Sequence, residues 1–430
     1  MTEAGLGAER APAVESPAPD IRIAGCAVWL PPRTPVADAV AAGLCDEALA
    51  RTTGMLSVAV AQDEPAPEMA ARAARTALER SGFGRRGVDS GTRTGTGFGS
   101  GPGSGSGTEA GAGSGSGSGT GLGSGSGSGS GDVSLILHAS FFYQGHDLWA
   151  PASYVQRTAV GNRCPAIEVG QVSNGGMAGL GLAVDHLRAG PAAGEPDRRV
   201  LLTTGDAFRP PGFDRWRSDS GTFYGDGGTA LVLSSREGFA RVRGLATVSA
   251  PELEGMHRGD DPFGSAPFSH RPVVDLDACK KDFLATHRVP QVIAASGAAQ
   301  DAAVEQALAA AGVTLADVDR FVLPHLGRKR LRAGHLARFG IAEERTTWEW
   351  SRGIGHLGAG DQIAGFDHLV ASGSLGAGDL VVWMSVGAGF TYSCAVVEML
   401  ERPAWAAPAP STPTSATASI SPTTPAGGVG

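Results

Sequence analysis

The stretch Ala166-Ile167-Glu168-Val169-Gly170-Gln171-Val172-Ser173-Asn174-Gly175-Gly176-Met177 changes its periodicity in the middle. Ahead of Gly170 it is short and β-branched, as in a strand. From Gly175 onward Met177, Leu180, Val184 and Leu187 recur at helical spacing. A strand that turns sharply into a helix leaves Ser173 at the helix N-terminus, where backbone N–H groups and the helix dipole favour developing negative charge. The residues alone leave two readings of Ser173, a plain N-cap or a nucleophile. A hydrolase nucleophile elbow needs G-x-S-x-G, and Gln171 stands where the first glycine belongs.

Outward from this junction the chain alternates short β-branched strands with longer helices. Strands are expected at Ile21–Val28, Val133–His138, Ala166–Gly170, Val200–Thr204, Thr229–Leu233, Phe321–Leu323, Leu380–Ser385 and Ser393–Val397. Helices are expected at Pro67–Ser81, Gly175–Ala189, Pro290–Ala311 (ending at Gly312 as a C-cap) and Ile363–Ala371. Near-continuous apolar strands alternating with helices imply a sheet covered on both faces, hence an α/β fold of two similar halves.

Three segments fall outside that pattern. Residues 1–19 read as a disordered arm, 90–132 as a flexible Gly/Ser insertion of about 36 Å mean end-to-end distance, and 403–430 as a disordered tail. The remaining 340 or so residues are too many for one ordinary core. They divide into halves at 20–239 and 240–402.

A net charge of −8 argues against nucleic-acid binding by an overall basic field. No apolar run approaches the roughly 20 residues a membrane span needs. Five scattered cysteines with no CxxC pair suit reduced thiols in a cytoplasm. The histidines have no metal-like spacing, so no metal is assigned. Cys164 sits at the far end of the strand leading to Ser173 and reads as structural.

Three further segments could carry chemistry. Phe321-Val322-Leu323-Pro324-His325-Leu326-Gly327-Arg328-Lys329-Arg330 delivers His325 to the carboxyl end of a strand, where open α/β sheets place ligands, and three cations follow. Gly353-Ile354-Gly355-His356-Leu357-Gly358-Ala359-Gly360-Asp361 is a glycine-rich loop running into a helix, with Asp361 either capping that helix or orienting an imidazole. Ser385-Val386-Gly387-Ala388-Gly389-Phe390-Thr391 is a tight turn able to present a backbone N–H to an oxyanion or merely to reverse the chain.

In this order the four segments resemble the ketoacyl-acyl-carrier-protein synthase III family of the thiolase superfamily. The likeness runs from about Ile21 to Glu401 without the Gly/Ser insertion. Phe223-Tyr224-Gly225-Asp226-Gly227-Gly228-Thr229-Ala230 looks like the family's FGDGA segment, and Cys164-Pro165-Ala166 precedes the nucleophile strand at similar spacing. The resemblance implies a duplicated five-layer αβαβα fold, a homodimer, and a Cys-His-Asn site that takes an acyl group from a thioester. Carried over by motif, the nucleophile falls on Ser173, the first His on His325, the Asn on His356, and the oxyanion N–H groups on Ser173 and Ala388.

Two of those three side chains depart from the family pattern. A cysteine ionises readily at a helix N-terminus, but a serine hydroxyl needs a base. The expected base is His325, with Asp361 or His356 orienting it, as in Ser-His-Asp arrangements on other folds. Some natural-product members of the family resemble this chain in carrying Ser and a GHLGAGD-like loop, and act as acyltransferases or starter-unit synthases. Replacing Asn by His356 weakens the case for decarboxylative condensation, so acyl transfer to an acceptor is the leading expectation. The alternatives are a decarboxylative starter-unit synthase and a non-catalytic partner subunit; an α/β-hydrolase is the rival from another fold.

Acyl-CoA or acyl-carrier phosphopantetheine would serve as substrate, with no separate cofactor and a small-molecule or carrier acceptor. In the segment Asp46–Gly54, Ala48 cannot stack on adenine and Arg51 is one residue off the family's arginine. A carrier-protein donor therefore stands beside acyl-CoA. Arg328, Lys329 and Arg330 follow His325 where the family places cations that meet acidic carriers, and are expected to form the docking patch.

Overall fold

The computed structural model describes residues 20–83, 133–190 and 197–408. The expected arm at 1–19, the insertion at 90–132 and the tail from 409 lie outside the described residues. Residues 403–408, expected to begin the tail, instead pack on the fold. The Trp405 ring stands 5.8 Å from Phe239 and lies 4.1 Å beneath the Arg80 guanidinium.

Nine strands form one sheet: β1 (Arg22–Trp29), β4 (Val133–Ala139), β5 (Ala166–Val169), β6 (Arg199–Asp206), β7 (Gly227–Ser234), β8 (Ala240–Ser249), β9 (Arg320–Val322), β10 (Leu380–Gly387) and β11 (Thr391–Met399). A two-stranded ribbon of β2 (Arg33–Pro35) and β3 (Ser57–Ala59) lies apart. The order is β5-β4-β6-β7-β1-β8-β11-β10-β9. The first half contributes β5 to β1 and the second β8 to β9. The half-sheets are joined by strand pairing where Arg22 and Ile23 pair with Arg241 and Ala240.

Side-chain alternation turns these half-sheets into layers. In β7, Leu231 and Leu233 point into one core while Ala230 and Val232 point into another. In β10, Val381 and Trp383 share the first of those cores, while Val382 and Met384 face a third. The shared core also holds Met177, Leu180 and Val184 of helix Gly175–Arg188 and Ile363, Phe366 and Leu369 of helix Asp361–Ala371. These two helices are the middle layer. Helix Ala66–Arg80 covers the first half-sheet with Ala70, Ala73, Ala74 and Ala77. Helix Val289–Ala311 covers the second with Val304, Ala307 and Leu308. The result is the αβαβα stack that the resemblance implies.

Several elements were not expected, β8 and helix Leu276–Thr286 among them. β8 mixes Arg241 and Arg243 with apolar residues. Its charges are tolerated because both arginines reach Glu398 on neighbouring β11, at 2.7 and 3.5 Å. Helix Leu276–Thr286 starts on Asp275, whose side chain accepts from the Ala278 amide; its sequence carries only a weak apolar stripe.

The FGDGA-like segment is a structural fastening. Asp226 is fully buried and accepts from the Ala61 and Phe208 amides at 2.9 and 2.8 Å. Arg215 holds both of its oxygens, at 3.0 and 2.9 Å. Removing the carboxylate leaves a largely buried guanidinium without its counter-charge, held only by Tyr224 O, and two amides without partners. Asp226→Ala is therefore expected to lower unfolding stability by about 3–5 kcal/mol, read as a fall in the urea midpoint; an unchanged midpoint would contradict this role.

Candidate active site

The two middle-layer helices begin side by side, one from each half. A Cβ at Gly176 would collide with the Ala359 carbonyl oxygen, so only glycine lets the turn before one helix approach the turn before the other. Ser173 lies in the 3₁₀ turn Val172–Asn174 that opens the first helix. Val172 takes φ +49°, a left-handed conformation costly for a β-branched residue and found where a site over-determines the backbone. From the other side, the turn between β10 and β11 closes in. A Cβ at Gly387 would come within 2.5 Å of the Gln171 carbonyl oxygen.

The resulting geometry is a continuous hydrogen-bonded chain. Ser173 Oγ lies 2.8 Å from His356 Nε2, and His356 Nδ1 lies 2.6 Å from Asp361 Oδ2. Because a carboxylate only accepts, Nδ1 carries the proton and Nε2 is the free lone pair facing the hydroxyl. The ring is held from behind by backbone pairing. The His356 amide donates to Phe223 O and the Gly225 amide donates to His356 O, each at 2.9 Å. Asp361 also accepts from the Leu357 amide at 2.8 Å and the His325 amide at 2.7 Å.

Electrostatics follow from this packing. Burial works against a charged His356, but Asp361's charge and hydrogen bond outweigh it, with help from Asp219 and Asp206, and raise its pKa. Burial opposes ionisation of Asp361 as well; the neighbouring imidazoles and the bonds it accepts hold its carboxyl below the usual range. Phe141 and Tyr224 meet the His356 ring edge-on at 6.3 and 5.1 Å. A serine, an imidazole and a carboxylate so arranged can activate a hydroxyl for attack on an acyl group.

A cavity of about 200 Å³ opens onto this chain, lined by Ser173 and His356 together with Ala388, Phe390, His257 and Arg330. Ser173, His356, Asp361 and Ala388 thus come together as expected. His325 does not take the expected place. The imidazole bonded to Ser173 is His356; His325 is fully buried and is not among the residues lining the cavity. Its Nδ1 lies 3.1 Å from Gly355 O and 3.2 Å from Asp361 Oδ1, and its Nε2 has no hydrogen-bond partner among the described residues. The reason is reach: the His356 ring extends from its glycine-rich loop to the hydroxyl itself.

The expected basic docking patch is also divided. Arg330 turns inward and grips Asp219 with two bonds of 2.7 and 2.8 Å in the cavity wall. Arg328 stays exposed and pairs with Glu343 at 2.8 Å, and Lys329 is exposed. Arg51 spends its charge on Glu47 at 2.6 Å. Cys164 lies beside Gln156, away from the cavity lining.

Asp206 was missed. Its carboxylate accepts from the Phe141, Phe142 and Ala359 amides at 2.7, 2.9 and 3.2 Å, tying a cavity wall to the triad loop. Burial pushes its pKa up to about 7, against the pull of those amides and of His356. A carboxylate closing the buried strand Val200–Thr204 was the available signal. Among the described residues no cluster of three or more His, Cys, Asp or Glu could hold a metal, and no helix is long and apolar enough to cross a membrane.

Comparison with known proteins agrees with this architecture. Residues 308–399 match the family model for the C-terminal part of 3-oxoacyl-[acyl-carrier-protein] synthase III. The structure of ChlB3, described as an acyltransferase, is 32% identical, with 90% of this chain and 100% of that one covered at a TM-score of 0.75. A curated β-ketoacyl-[acyl-carrier-protein] synthase III from Chelativorans sp. (strain BNC1) is 27% identical over 176 residues, which is 40% of this chain. The match spans about half, 51%, of that relative's length. The 3-oxoacyl-(acyl carrier protein) synthase III of Pseudomonas aeruginosa PAO1, 17% identical over 89% of this chain and 99% of its own at a TM-score of 0.62, shares the fold. With the layered halves, the paired helix N-termini and the four motifs in one place, the chain belongs to the ketoacyl-acyl-carrier-protein synthase III family of the thiolase superfamily.

Proposed function

We propose that this protein is an acyltransferase that takes an acyl group from an acyl-CoA or acyl-carrier thioester onto Ser173 and passes it to an acceptor. The observation that carries the reading is the unbroken chain from the Ser173 hydroxyl through His356 to Asp361. Ser173 Oγ attacks the thioester carbonyl while His356 Nε2 takes its proton. The negative oxygen faces the backbone N–H groups of Ser173 and Ala388. The C–S bond then breaks and His356 protonates the departing thiolate. In the second half the acceptor loses its proton to His356, the new acyl bond forms, the bond to Oγ breaks, and the proton returns to Ser173.

Acyl transfer is favoured over condensation by the way the imidazoles are used. Decarboxylation in the family relies on two side chains that polarise a malonyl carbonyl together. Here His356 is committed to Ser173 and Asp361, and His325 is buried outside the cavity lining. Phosphopantetheine, on coenzyme A or a carrier, enters as substrate. Exposed Arg328 and Lys329 are the cations available to an acidic carrier, whereas Arg330 belongs to the cavity. A homodimer joined at edge strand β5 is supported by Ile167, 49% exposed on that strand.

Incubation with acyl-CoA or acyl-carrier protein is expected to add one acyl mass to the intact protein, and Ser173→Ala is expected to abolish it. Mass gain surviving in the variant, or carbon dioxide release with a malonyl thioester, would overturn the reading. Proton transfer makes a second prediction. Only neutral His356 can act as base, and Asp361 holds its pKa above the ordinary value. The acylation rate should fall as pH drops through that raised pKa and level off above it. In Asp361→Asn the inflection should move to lower pH, because burial then acts with less opposition, and the plateau should fall about 10⁴-fold. An inflection that stays put would assign the base to another group.

A further inference from the structure

The polar side chains around the cavity are nearly all committed to one another. Ser173 is bonded to His356 and His356 to Asp361. Tyr224 Oη donates to Asp219 at 3.3 Å, and Asp219 is gripped by Arg330. Asp277 accepts from both the amide and the hydroxyl of Ser220, each at 2.9 Å. Two remain without a hydrogen bond or ion pair among the described residues, Lys280 and His257. Lys280 is an exposed ammonium on helix Leu276–Thr286.

His257 is exposed as well, but its ring packs beside the turn that carries Ala388. It closes the 3₁₀ helix Pro251–His257 and lines the same cavity as Ser173 and Ala388. Its ring sits 5.4 Å from that of Phe390, the residue that follows the Gly387-Ala388-Gly389 turn. The side chain is exposed on one side while protein packs around the other, and this desolvation, with Arg330 and Lys280 acting the same way against Asp219, lowers its pKa. A neutral imidazole has one donor and one acceptor nitrogen, and here neither has a protein partner. His356 already moves the proton in both halves of the proposed reaction, so a second base is redundant. What the site needs besides that base is an uncommitted polar group to hold the molecule that receives the acyl chain, and of the two available only His257 can both donate and accept.

We propose that His257 binds the acceptor, holding by hydrogen bond a hydroxyl or amide that neighbours the attacking atom. The acceptor class is accordingly a small molecule or pantetheine arm with a second polar group two or three bonds from its nucleophile. The inference rests on the acyl-Ser173 reading. In the transfer step the acceptor's O–H or S–H proton goes to His356 and on to Ser173 Oγ, the acyl–O or acyl–S bond forms, and the bond to Ser173 breaks.

The test starts from full-length enzyme already acylated, with loading verified by intact mass, and follows loss of that mass on adding acceptor. Four probes are compared: pantetheine against propane-1-thiol, and propane-1,2-diol against propan-1-ol. In wild type the two-group acceptors should be preferred, and the pair that shows the larger preference distinguishes a pantetheine arm from an alcohol. In His257→Ala, transfer to the preferred acceptor should slow about tenfold through its KM, the loss expected for a hydrogen bond left unmade. Transfer to the single-group probes should be unchanged, as should acylation by an S-propyl thioester, which lacks the second polar group, and His257→Gln should recover part of the loss. Equal slowing with all four probes, slowing of acylation by the S-propyl thioester, or a preference that survives in His257→Ala would overturn the assignment. Wild-type protein that never gains an acyl mass would instead remove the acyl-Ser173 reading, and this inference with it.

Discussion

The carboxylate of Asp361 accepts from His356 Nδ1, the Leu357 amide and the His325 amide. It does so at the N-terminus of its own helix, where the dipole favours negative charge. A carboxylate as buried as this is costly to ionise and is stable only because its donors are in place. Those donors come from strand end and loop at once, so the charge sets the position of every segment that reaches it. His356 is pointed at Ser173 by that arrangement, and the Phe223–Gly225 backbone holds the ring from the other side. An imidazole at this position would be of little use as a base without a charge to fix its tautomer.

Around that centre the fold acts mainly through close approach. Two half-sheets meet through a short pairing, yet the layer between them is continuous because helices from both halves share one apolar core. Glycine at 176 allows the first helix to start against the backbone of the loop that carries the imidazole, and glycine at 387 lets the opposite turn sit over Gln171. Buried carboxylates do the fastening: Asp226 holds the segment that backs His356, and Asp206 joins the Phe141 wall to Ala359. Most of the polar chemistry in this region is therefore structural, and only a few groups are left to meet substrate.

Much of the layer pattern was legible because strands covered on both faces are apolar throughout, and the middle-layer helices carry apolar residues at helical spacing. β8 was not legible. Its arginines look like solvent-facing charge until Glu398 on the adjacent strand is seen to balance them. At the site, Ser173, His356, Asp361 and Ala388 stood out from their local motifs, but the pairing among them did not. Whether His325 or His356 meets Ser173 depends on a few ångströms of loop path between residues more than 150 positions apart, which motif order does not encode. The inward turn of Arg330 was hidden for a similar reason. Its partner Asp219 lies far away in sequence, and three consecutive cations read as surface. His257 gave no local signal, because an isolated histidine acquires meaning only from what surrounds it in space.

The hydroxyl and its base reside in different halves, and β8, at the start of the second half, must join the sheet beside β1 before they can meet. During synthesis the N-terminal half leaves the ribosome first, with a serine that is chemically inert. On the proposed acyl-Ser173 reading, reactivity toward thioesters arises only at the final docking of the two halves, so a nascent or partly unfolded chain would not discharge activated acyl groups into water. Catalytic competence, on that reading, doubles as a report on completed folding.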